Sequence, residues 1–259
     1  MAQPGVAARS AATSMGEDTQ RTLASAGDPR ADGAAGRHPG PDGVDRVGGM
    51  DATPPEPGPA AGGLDERTVD PDPLVQFGRW YEAAAAAVEA PEAMAVATAD
   101  AAGRPSVRMV LLKSWGVEGF TFFTNYDSRK GRDLGENPHA ALLFHWEPLG
   151  RQVRIEGPVR RSGPAESDAY FASRPFGSQV GAYASHQSRT VADRPTLDAR
   201  VVELASELGG REVTRPPWWG GFRVEPVAFE FWQLGQSRMH DRLRFLPDDD
   251  GWRLERLQP

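Results

Sequence analysis

The feature that most limits how this 259-residue chain can fold is the position of its aromatic residues. All 22 of them lie at or after Phe77, whereas positions 1 to 63 contain 12 Gly, 8 Pro and 13 Ala with no periodic apolar pattern. Such a segment cannot bury enough apolar surface to offset the entropy lost on ordering. We therefore expect residues 1 to 63 to be a disordered Gly/Pro/Ala-rich tail and residues 64 to 259 to form one domain.

Charge is distributed just as unevenly. The chain carries 12 acidic and 6 basic residues up to Asp72, and 24 acidic and 23 basic residues from Pro73 onward. The predicted domain is therefore close to neutral, which argues against a nucleic-acid-binding surface, because such a surface needs a clustered basic excess. Any cationic site must be local. Only two lysines, Lys113 and Lys130, stand beside 27 arginines, and both lie next to polar candidate residues.

Several classes of site are excluded by what the sequence lacks. There is no cysteine, so disulfides, thiolate metal ligands and cysteine nucleophiles are ruled out. No His-x-x-x-His pair, Gly-rich phosphate loop or Ser-centred elbow occurs, and we predict no metal site. No run of 18 apolar residues exists and the start lacks a secretory signal, so we expect a cytoplasmic protein without a membrane partner.

From Asp72 onward the pattern predicts many short strands with a few helices. Asp72 and Ser128 are candidate N-caps. The predicted helices cover residues 73–89, 129–137, 164–173 and 192–208. The predicted strands cover residues 93–99, 107–114, 120–124, 140–146, 152–161, 228–233, 241–246 and 252–257, with one more that begins near residue 218. This arrangement predicts an α+β domain built on an antiparallel barrel.

The segment from residue 231 to residue 242 reads FWQLGQSRMHDR. Its glycine, Gly235, lies where two strands would meet in a hairpin. If the strands are regular, Arg238, His240 and Arg242 point the same way. Arginine forks match phosphate oxygens, and Trp232 can pack on a flat heterocycle, so an anionic planar ligand fits this segment. A solvated hairpin tip explains the same spacing.

Two further pairs of cations have an unusual placement. Arg108 and Lys113 are five residues apart, so on a regular strand they face opposite sides and can both meet a ligand only between two sites or at a dimer seam. Arg129 and Lys130 stand in the first turn of the helix capped by Ser128, where they oppose the helix dipole unless an anion binds there. The alternative interpretation of the first pair is a strand with charged ends, and that of the second pair is ordinary surface charge.

A third polar group follows the helix at residues 164–173. Tyr170 and Arg174 are four residues apart and share one helix face, with Ser178 in the loop just beyond. Two hydroxyls and a guanidinium suit a phosphate ester. A helix C-terminus with a surface arginine is the alternative interpretation.

Taken in order, these motifs resemble those of the pyridoxamine 5'-phosphate oxidase family. The resemblance runs from about Gly62 to Pro259 and includes Asp72-Pro73 and Trp218-Trp219-Gly-Gly-Phe-Arg223. Its motifs are Arg108-Met-Val-Leu-Leu-Lys113, Ser128-Arg129-Lys130, Gln152, Tyr170 with Arg174 and Ser178, Gln187-Ser188, Trp232 and Arg238-Met239-His240-Asp241-Arg242. The resemblance implies an antiparallel split β-barrel with inserted and flanking helices, which forms a homodimer with FMN-binding active sites at the interface.

The resemblance also implies a role for each residue. It implies oxidation of pyridoxamine or pyridoxine 5'-phosphate to pyridoxal 5'-phosphate, with dioxygen as acceptor and hydrogen peroxide released. Arg238 and His240 would act over the pyridine ring as catalytic and substrate-binding residues. The remaining substrate-binding residues would be Lys113, Tyr170, Arg174 and Ser178. The residues implied to bind FMN are Arg108, Met109, Val110, Leu111, Leu112, Lys113, Phe123, Thr124, Arg129, Lys130, Gln152, Gln187, Ser188, Trp232 and Arg242.

One departure from the family and two alternatives stay open. Just before Gly62 the family often carries an Arg-x-x-Tyr that folds over the substrate; here the residues are Glu56-Pro-Gly-Pro59, so that contact is not carried over. Another split-barrel oxidoreductase, dependent on flavin or deazaflavin, would not need Tyr170, Arg174, Ser178, Arg238 and His240 together. A non-enzymatic flavin or pyridoxal phosphate carrier would use the same residues, and turnover with peroxide release would distinguish it.

Overall fold

The computed structural model describes residues 63–249 and 251–259, so the predicted tail, apart from Gly63, lies outside the described residues. The helices of this part are α1 (Pro73–Ala85), α2 (Arg129–Glu136), α3 (Pro164–Ser173), α4 (Phe176–Ala184) and α5 (Arg194–Leu208). Its strands are β1 (Ala93–Ala99), β2 (Pro105–Leu111), β3 (Ser114–Gly116), β4 (Gly119–Asn125), β5 (His139–Trp146), β6 (Arg151–Arg161), β7 (Trp219–Val224), β8 (Ala228–Gln233), β9 (Asp241–Asp248) and β10 (Gly251–Arg256). No helix in this part is both long and apolar enough to cross a membrane.

Both predicted helix caps are confirmed. The Asp72 side chain accepts a hydrogen bond from the backbone N–H of Leu74 at 2.8 Å, and Ser128 accepts one from Gly131 at 3.2 Å. Helix α1 ends at Ala85 rather than near residue 89, because the chain turns there and packs Val88 on the core before β1.

All strand pairs are antiparallel and β6 joins the two parts of the sheet. The main order is β10-β9-β8-β6-β5-β1-β2, while β4 pairs with β3 and β7, and β7 returns to β6. The first half of β6 pairs with β8 and its end pairs with β7. Gly157 lies between the two, where any side-chain carbon would collide with the carbonyl oxygen of Glu225. The result is the predicted α+β fold, a curled antiparallel half-barrel.

The main sheet has an inner face that covers the core and an outer face opposite to it. The inner face and α1 enclose a large aromatic core that includes Phe77, Phe144 and Phe231, each fully buried. On the outer face, edge strand β2 exposes Val107 and Met109, at 67% and 64% of their surface. Exposed apolar rows on edge strands favour association between chains.

The prediction of one strand over residues 107–114 was wrong. Strand β2 stops at Leu111, after which the N–H of Leu112 bonds to the carbonyl of Glu92 at 2.9 Å and that of Lys113 to Thr121 at 2.8 Å. The chain thus changes partner from β1 to β4 between Arg108 and Lys113. Strand alternation therefore does not set the relative directions of these two side chains.

The end of the helical region also differs from the sequence prediction. Ser178 was expected in a loop, but it lies in the first turn of α4, because Pro175 takes the N-cap position and starts a new helix directly after α3. Helix α5 begins at Arg194 rather than at residue 192 and has no fully buried residue.

Candidate functional site

The N-terminus of α2 gathers three of the residues implied to bind FMN. Lys130 is buried, and its Nζ donates to Oε1 of Gln187 at 2.7 Å and to Oγ of Ser128 at 3.3 Å. The same oxygen of Gln187 accepts a hydrogen bond from Thr124 at 3.1 Å. Burial, and then the charge of Arg108, lower the pKa of Lys130 to about 8. A buried ammonium that pairs with no carboxylate of the described residues is suited to an anionic ligand.

Arg108 lies beside this cluster and is held by a network that sequence reasoning missed. Its Nη1 donates to the carbonyl of Val96 at 3.2 Å and to Oγ1 of Thr98 at 2.7 Å, and its Nη2 donates to Ser106 at 2.7 Å. Thr98 donates in turn to the buried carboxylate of Asp133 at 2.7 Å, which stands 3.8 Å from Nη2 of Arg108. These hydrogen bonds connect strands β1 and β2 to helix α2 around the guanidinium of Arg108.

Three cations therefore stand close together at one helix start. Burial lowers the pKa of Arg108; the carboxylate of Asp133 opposes this shift, and the exposed Arg129 adds to it. The first N–H groups of a helix lack intrahelical partners and carry the positive end of its dipole. The charges of Arg108, Arg129 and Lys130 and the free N–H groups of this helix end are chemically suited to a phosphate group.

A cavity of about 210 Å³ adjoins the cluster. Its lining residues are Asn125, Arg174, Ser178, Gly181, Ala182, Ser185, Gln187 and Trp219. Within the described part of the chain, the buried Nη1 of Arg174 has no hydrogen-bond partner. The guanidinium carbon lies 4.7 Å from the centre of the Trp219 ring, and burial lowers the pKa of Arg174. Arg174 as a whole is half-buried, but a buried guanidinium nitrogen without a partner is costly, so this nitrogen is suited to an acceptor on a ligand.

Tyr170 belongs to a second group of candidate residues, together with Arg174 and Trp219 at the cavity. Its ring stacks on Phe123 with centroids 4.1 Å apart and lies 6.1 Å from the ring of Trp219. Lys113 is exposed, with its Nζ 6.0 Å from the centre of the Tyr170 ring. Phe123 and Thr124 are neighbours on β4, so their side chains leave opposite faces: Phe123 joins Tyr170, and Thr124 joins Lys130 and Gln187.

A third group lies on the outer face of the main sheet. Gln152 pairs with Trp232 across β6 and β8, and Trp232 pairs with Arg242 across β8 and β9, so the three form one row. Arg108 pairs with the buried Val96 and therefore belongs to the inner face. Within one chain, the residues implied to bind FMN thus stand on both faces of the sheet.

The hairpin tip beyond this row does not follow strand alternation. Residues Gln236–Arg238 form a 3₁₀ turn in which Ser237 and Arg238 have φ of 52° and 62°. The expectation that Arg238, His240 and Arg242 share one strand face was therefore wrong. Arg238 is exposed, whereas His240 packs on Trp232 with ring centroids 4.6 Å apart.

His240 is further fixed through its ring nitrogen Nδ1. Its Nδ1 accepts a hydrogen bond from the N–H of Gly235 at 3.2 Å, which leaves the proton of the neutral ring on Nε2. Ser188 has a φ of 69°, and it completes the set of described non-glycine residues with positive φ, which are Ser188, Ser237 and Arg238. Backbone strain of this kind concentrates at functional sites, and all three fall in the motifs singled out above.

Gly235 closes the hairpin where no side chain fits. A carbon added there would collide with the carbonyl oxygen of Met239. We expect Gly235→Ala to cost about 2 kcal/mol, or roughly 4 to 8 °C in Tm, because the tip must shift. Gly135→Ala is the matched control: Gly135 is an exposed position of helix α2 with open space around it, so the change should raise Tm slightly. Thermal melts compare the two, and equal effects would contradict the prediction.

The remaining residues of the Arg108–Lys113 motif divide between core and surface. Leu112 is buried in the core, Val110 packs partly against it, and Met109 and Leu111 are exposed on the outer face. Sequence reasoning missed Thr98, Asp133 and Glu230, which hold the arginines of the site. Glu230 was the most detectable of the three, since it is a charged residue between two phenylalanines of β8. No group of three or more His, Asp or Glu in the described residues could hold a metal ion.

Comparison with known families accounts for most of the described chain. The family profile "Pyridoxamine 5'-phosphate oxidase" matches residues 81–206, and the profile "Pyridoxine 5'-phosphate oxidase C-terminal dimerisation region" matches residues 219–259. A pyridoxine/pyridoxamine 5'-phosphate oxidase of Burkholderia vietnamiensis is 54% identical over 200 residues, which are 76% of this chain and 93% of that protein. One of Rubrobacter xylanophilus is 53% identical over 198 residues, covering 76% and 91%.

Two solved structures share the fold. PhzG from Burkholderia lata 383, solved in complex with tetrahydrophenazine-1-carboxylic acid, has a TM-score of 0.71 and 34% identity, and covers 77% of this chain and 100% of its own. A pyridoxamine 5'-phosphate oxidase-related, FMN-binding protein from Nostoc punctiforme has a TM-score of 0.55 and 16% identity, covering 71% and 95%. The second of these matches shows the fold alone.

Proposed function

Because the chain belongs to the pyridoxamine 5'-phosphate oxidase family of oxidoreductases, we propose that it oxidises pyridoxamine or pyridoxine 5'-phosphate to pyridoxal 5'-phosphate. The alcohol loses two hydrogens, and the amine also consumes water and releases ammonia. Dioxygen accepts the electrons and leaves as hydrogen peroxide. We place this reaction in the cytoplasm, as a step in the formation or salvage of pyridoxal phosphate.

The observation that carries this proposal is the buried Nη1 of the half-buried Arg174. Its Nη1 lacks a partner, and it faces a cavity that also holds the hydroxyl of Ser178 and the amide of Gln187. A phosphate monoester supplies the negative charge and several acceptor oxygens that this arginine needs. Tyr170 and Lys113, adjacent through their 6.0 Å contact, complete the proposed phosphate site.

The residues at the start of α2 fit a second phosphate, that of FMN. Arg108, Arg129 and Lys130 supply three cations there, while Thr124 and Gln187 supply polar groups. In the proposal, Gln152, Trp232 and Arg242 hold the rings, and Ser188 and the Met109–Leu112 backbone complete the contacts. FAD carries a second nucleotide with its own phosphate. The residues proposed here include no further cluster of cations for that phosphate.

FMN, when bound, would supply the hydride acceptor for this oxidation. The chain itself holds the reacting rings in a fixed orientation, which accounts for a large share of catalysis in such reactions. We assign this orientation to Arg238 and His240. Because Nδ1 of His240 is occupied by Gly235, its Nε2 is the nitrogen that can meet the substrate.

Two copies of the chain are needed to complete each site in this proposal. Arg108, which stands beside the start of α2, lies on the inner face of the sheet, whereas Gln152, Trp232 and Arg242 lie on the outer face. One flat ligand cannot meet both faces of one sheet, so we propose a homodimer in which each chain supplies half of each site. The match of residues 219–259 to a dimerisation region and the exposed apolar row on β2 support this assembly.

A second candidate function follows from the similarity to PhzG. That protein was solved with a reduced phenazine carboxylic acid, a tricyclic compound with a carboxylate. Such a ligand carries one anionic group and needs room for three fused rings. We favour the phosphorylated vitamer, because the unpartnered Nη1 of Arg174 and the nearby Ser178 suit the several acceptor oxygens of a phosphate monoester.

One experiment on the purified full-length protein tests the proposal. The bound flavin is released and identified, and the protein is then supplied under air with pyridoxamine 5'-phosphate, pyridoxine 5'-phosphate or a reduced phenazine carboxylate. Pyridoxal phosphate, oxidised phenazine and peroxide are measured. We expect FMN, and peroxide in equal amount to pyridoxal phosphate. Flavin without turnover would indicate a carrier, turnover of only a reduced phenazine carboxylate would indicate the second candidate, and a bound deazaflavin would exclude FMN chemistry.

A further inference from the structure

Glu230 is a charged residue on β8 that is almost inaccessible, although it stands on the outer face of the sheet. Its side chain is 7% exposed because two arginines cover it. Oε1 accepts from Nε of Arg242 at 2.7 Å, and Oε2 accepts from Nη2 of Arg154 at 2.6 Å. One carboxylate thus spans three strands, and one of its partners belongs to the proposed flavin site.

The contact with Glu230 determines how Arg242 is presented. Arg242 also donates from Nη1 to the backbone carbonyl of Gln258 at 3.0 Å. Two of its three nitrogens are therefore held, and because the guanidinium is planar, these contacts fix the plane of the whole group. No hydrogen bond from its Nη2 occurs within the described residues, so that nitrogen is available to a ligand. Arg242 pairs directly with Trp232, the residue proposed to pack on the flavin.

We propose that Glu230 is a positioning residue for flavin binding, which acts by fixing the guanidinium of Arg242. This inference rests on the proposed function. An arginine that is ordered before binding loses less side-chain freedom when the ligand arrives, which strengthens binding without any new contact. Glu230 touches the ligand only through Arg242. The competing explanation is that Glu230 merely joins β6, β8 and β9 by neutralising two arginines.

A double-mutant cycle separates these explanations. Full-length wild type, Glu230→Gln, Arg242→Ala and the double variant are stripped of flavin and titrated with FMN, and Kd is read from the quenching of flavin fluorescence. Glutamine keeps the shape of the side chain and removes its charge. We expect each single variant to raise Kd about tenfold and the double variant to match Arg242→Ala, because both changes remove one interaction.

The matched control is Glu255→Gln. Glu255 accepts from Nη2 of Arg244 at 2.6 Å, so it forms a similar cross-strand pair on the adjacent strands without touching Arg242. Its Kd for FMN should stay within about twofold of wild type, since the Glu230–Arg242 contact is intact. A tenfold loss in this control would mean that any lost ion pair in this sheet weakens binding, and would overturn the proposal.

Three other results would overturn the proposal. Additive effects in the cycle would show that Glu230 acts independently of Arg242. An unchanged Kd in Glu230→Gln, with a raised Kd in Arg242→Ala, would reject the role of Glu230 alone. An unchanged Kd in Arg242→Ala would reject the flavin assignment of Arg242 itself.

A second variant serves if Glu230→Gln folds poorly. Deletion of Gln258 and Pro259 removes the other contact of Arg242. The deletion should raise Kd for FMN in the otherwise wild-type chain but not in Arg242→Ala. No effect in the otherwise wild-type chain would also overturn the proposal.

Discussion

Replacing Arg174 by alanine should lower kcat/KM for pyridoxine 5'-phosphate about 100-fold, while the bound flavin is retained. The loss reflects a charge-assisted contact with the substrate phosphate, worth up to about 3 kcal/mol. The Tm of the substrate-free protein should stay the same or rise, because Nη1 of Arg174 is buried without a partner and its removal relieves that cost. Steady-state kinetics and thermal melts on the same preparation measure both effects.

Arg215 provides the control for this prediction, because it approaches the same tryptophan but two of its nitrogens already have hydrogen-bond partners. It donates to Asp168 at 2.7 Å and to the carbonyl of Trp219 at 2.7 Å. Arg215→Ala should therefore lower Tm and change kcat/KM by only a few-fold. The assignment of Arg174 to the substrate would be wrong if its alanine variant lost stability rather than activity, or if both variants behaved alike.

Flavin affinity should depend on pH through Lys130. Burial and Arg108 lower the pKa of its ammonium to about 8, and only the ammonium form attracts a phosphate dianion. The Kd for FMN should therefore rise about tenfold between pH 7 and pH 9 as the proton is lost. At pH 7, Lys130→Ala should raise Kd by roughly 10- to 100-fold, the value expected for a hydrogen bond to a charged group. Fluorescence titration across this range checks both effects.

Two controls isolate the phosphate and the titrating group. Riboflavin, which lacks the phosphate, should bind with no such pH dependence, and Lys130→Arg should bind FMN with a flat profile because a guanidinium keeps its proton. The folding stability of the flavin-free protein should change in the opposite direction: it should rise with pH while the affinity for FMN falls. The unfolded chain keeps the Lys130 proton up to about pH 10.4, so it binds more protons than the folded chain above pH 8, and stability rises with pH there. A flat FMN profile in wild type would contradict the assignment.

Local signals in the sequence predicted the parts of the fold that depend on neighbouring residues. Asp72 and Ser128 cap their helices through contacts within three residues. Strand β1 and helix α3 have the predicted bounds, since their apolar patterns and flanking residues are local. The resemblance to the family is confirmed by relatives at 53 to 54% identity.

The parts that failed depend on distant partners. The break after Leu111 arises because Lys113 bonds to Thr121 on another strand, which a pattern of apolar residues does not encode. Ser237 and Arg238 adopt positive φ without being glycines, so no turn signal marks them. Asp133 meets Thr98 from 35 residues away, and its role becomes visible only when α2 lies against β1. The residues implied to bind FMN remain predictions, although the structure brings several of them together.

The split of the proposed flavin residues between two faces of one sheet makes chain concentration a variable in every measurement on this protein. If two chains complete each site, diluting the protein below its dimer dissociation constant removes the binding place itself, so flavin loss and dissociation become linked equilibria. Ligand added at low protein concentration should then promote assembly, and an affinity measured at one protein concentration would not hold at another. Reported constants for this enzyme therefore need the protein concentration beside them, just as they need the pH.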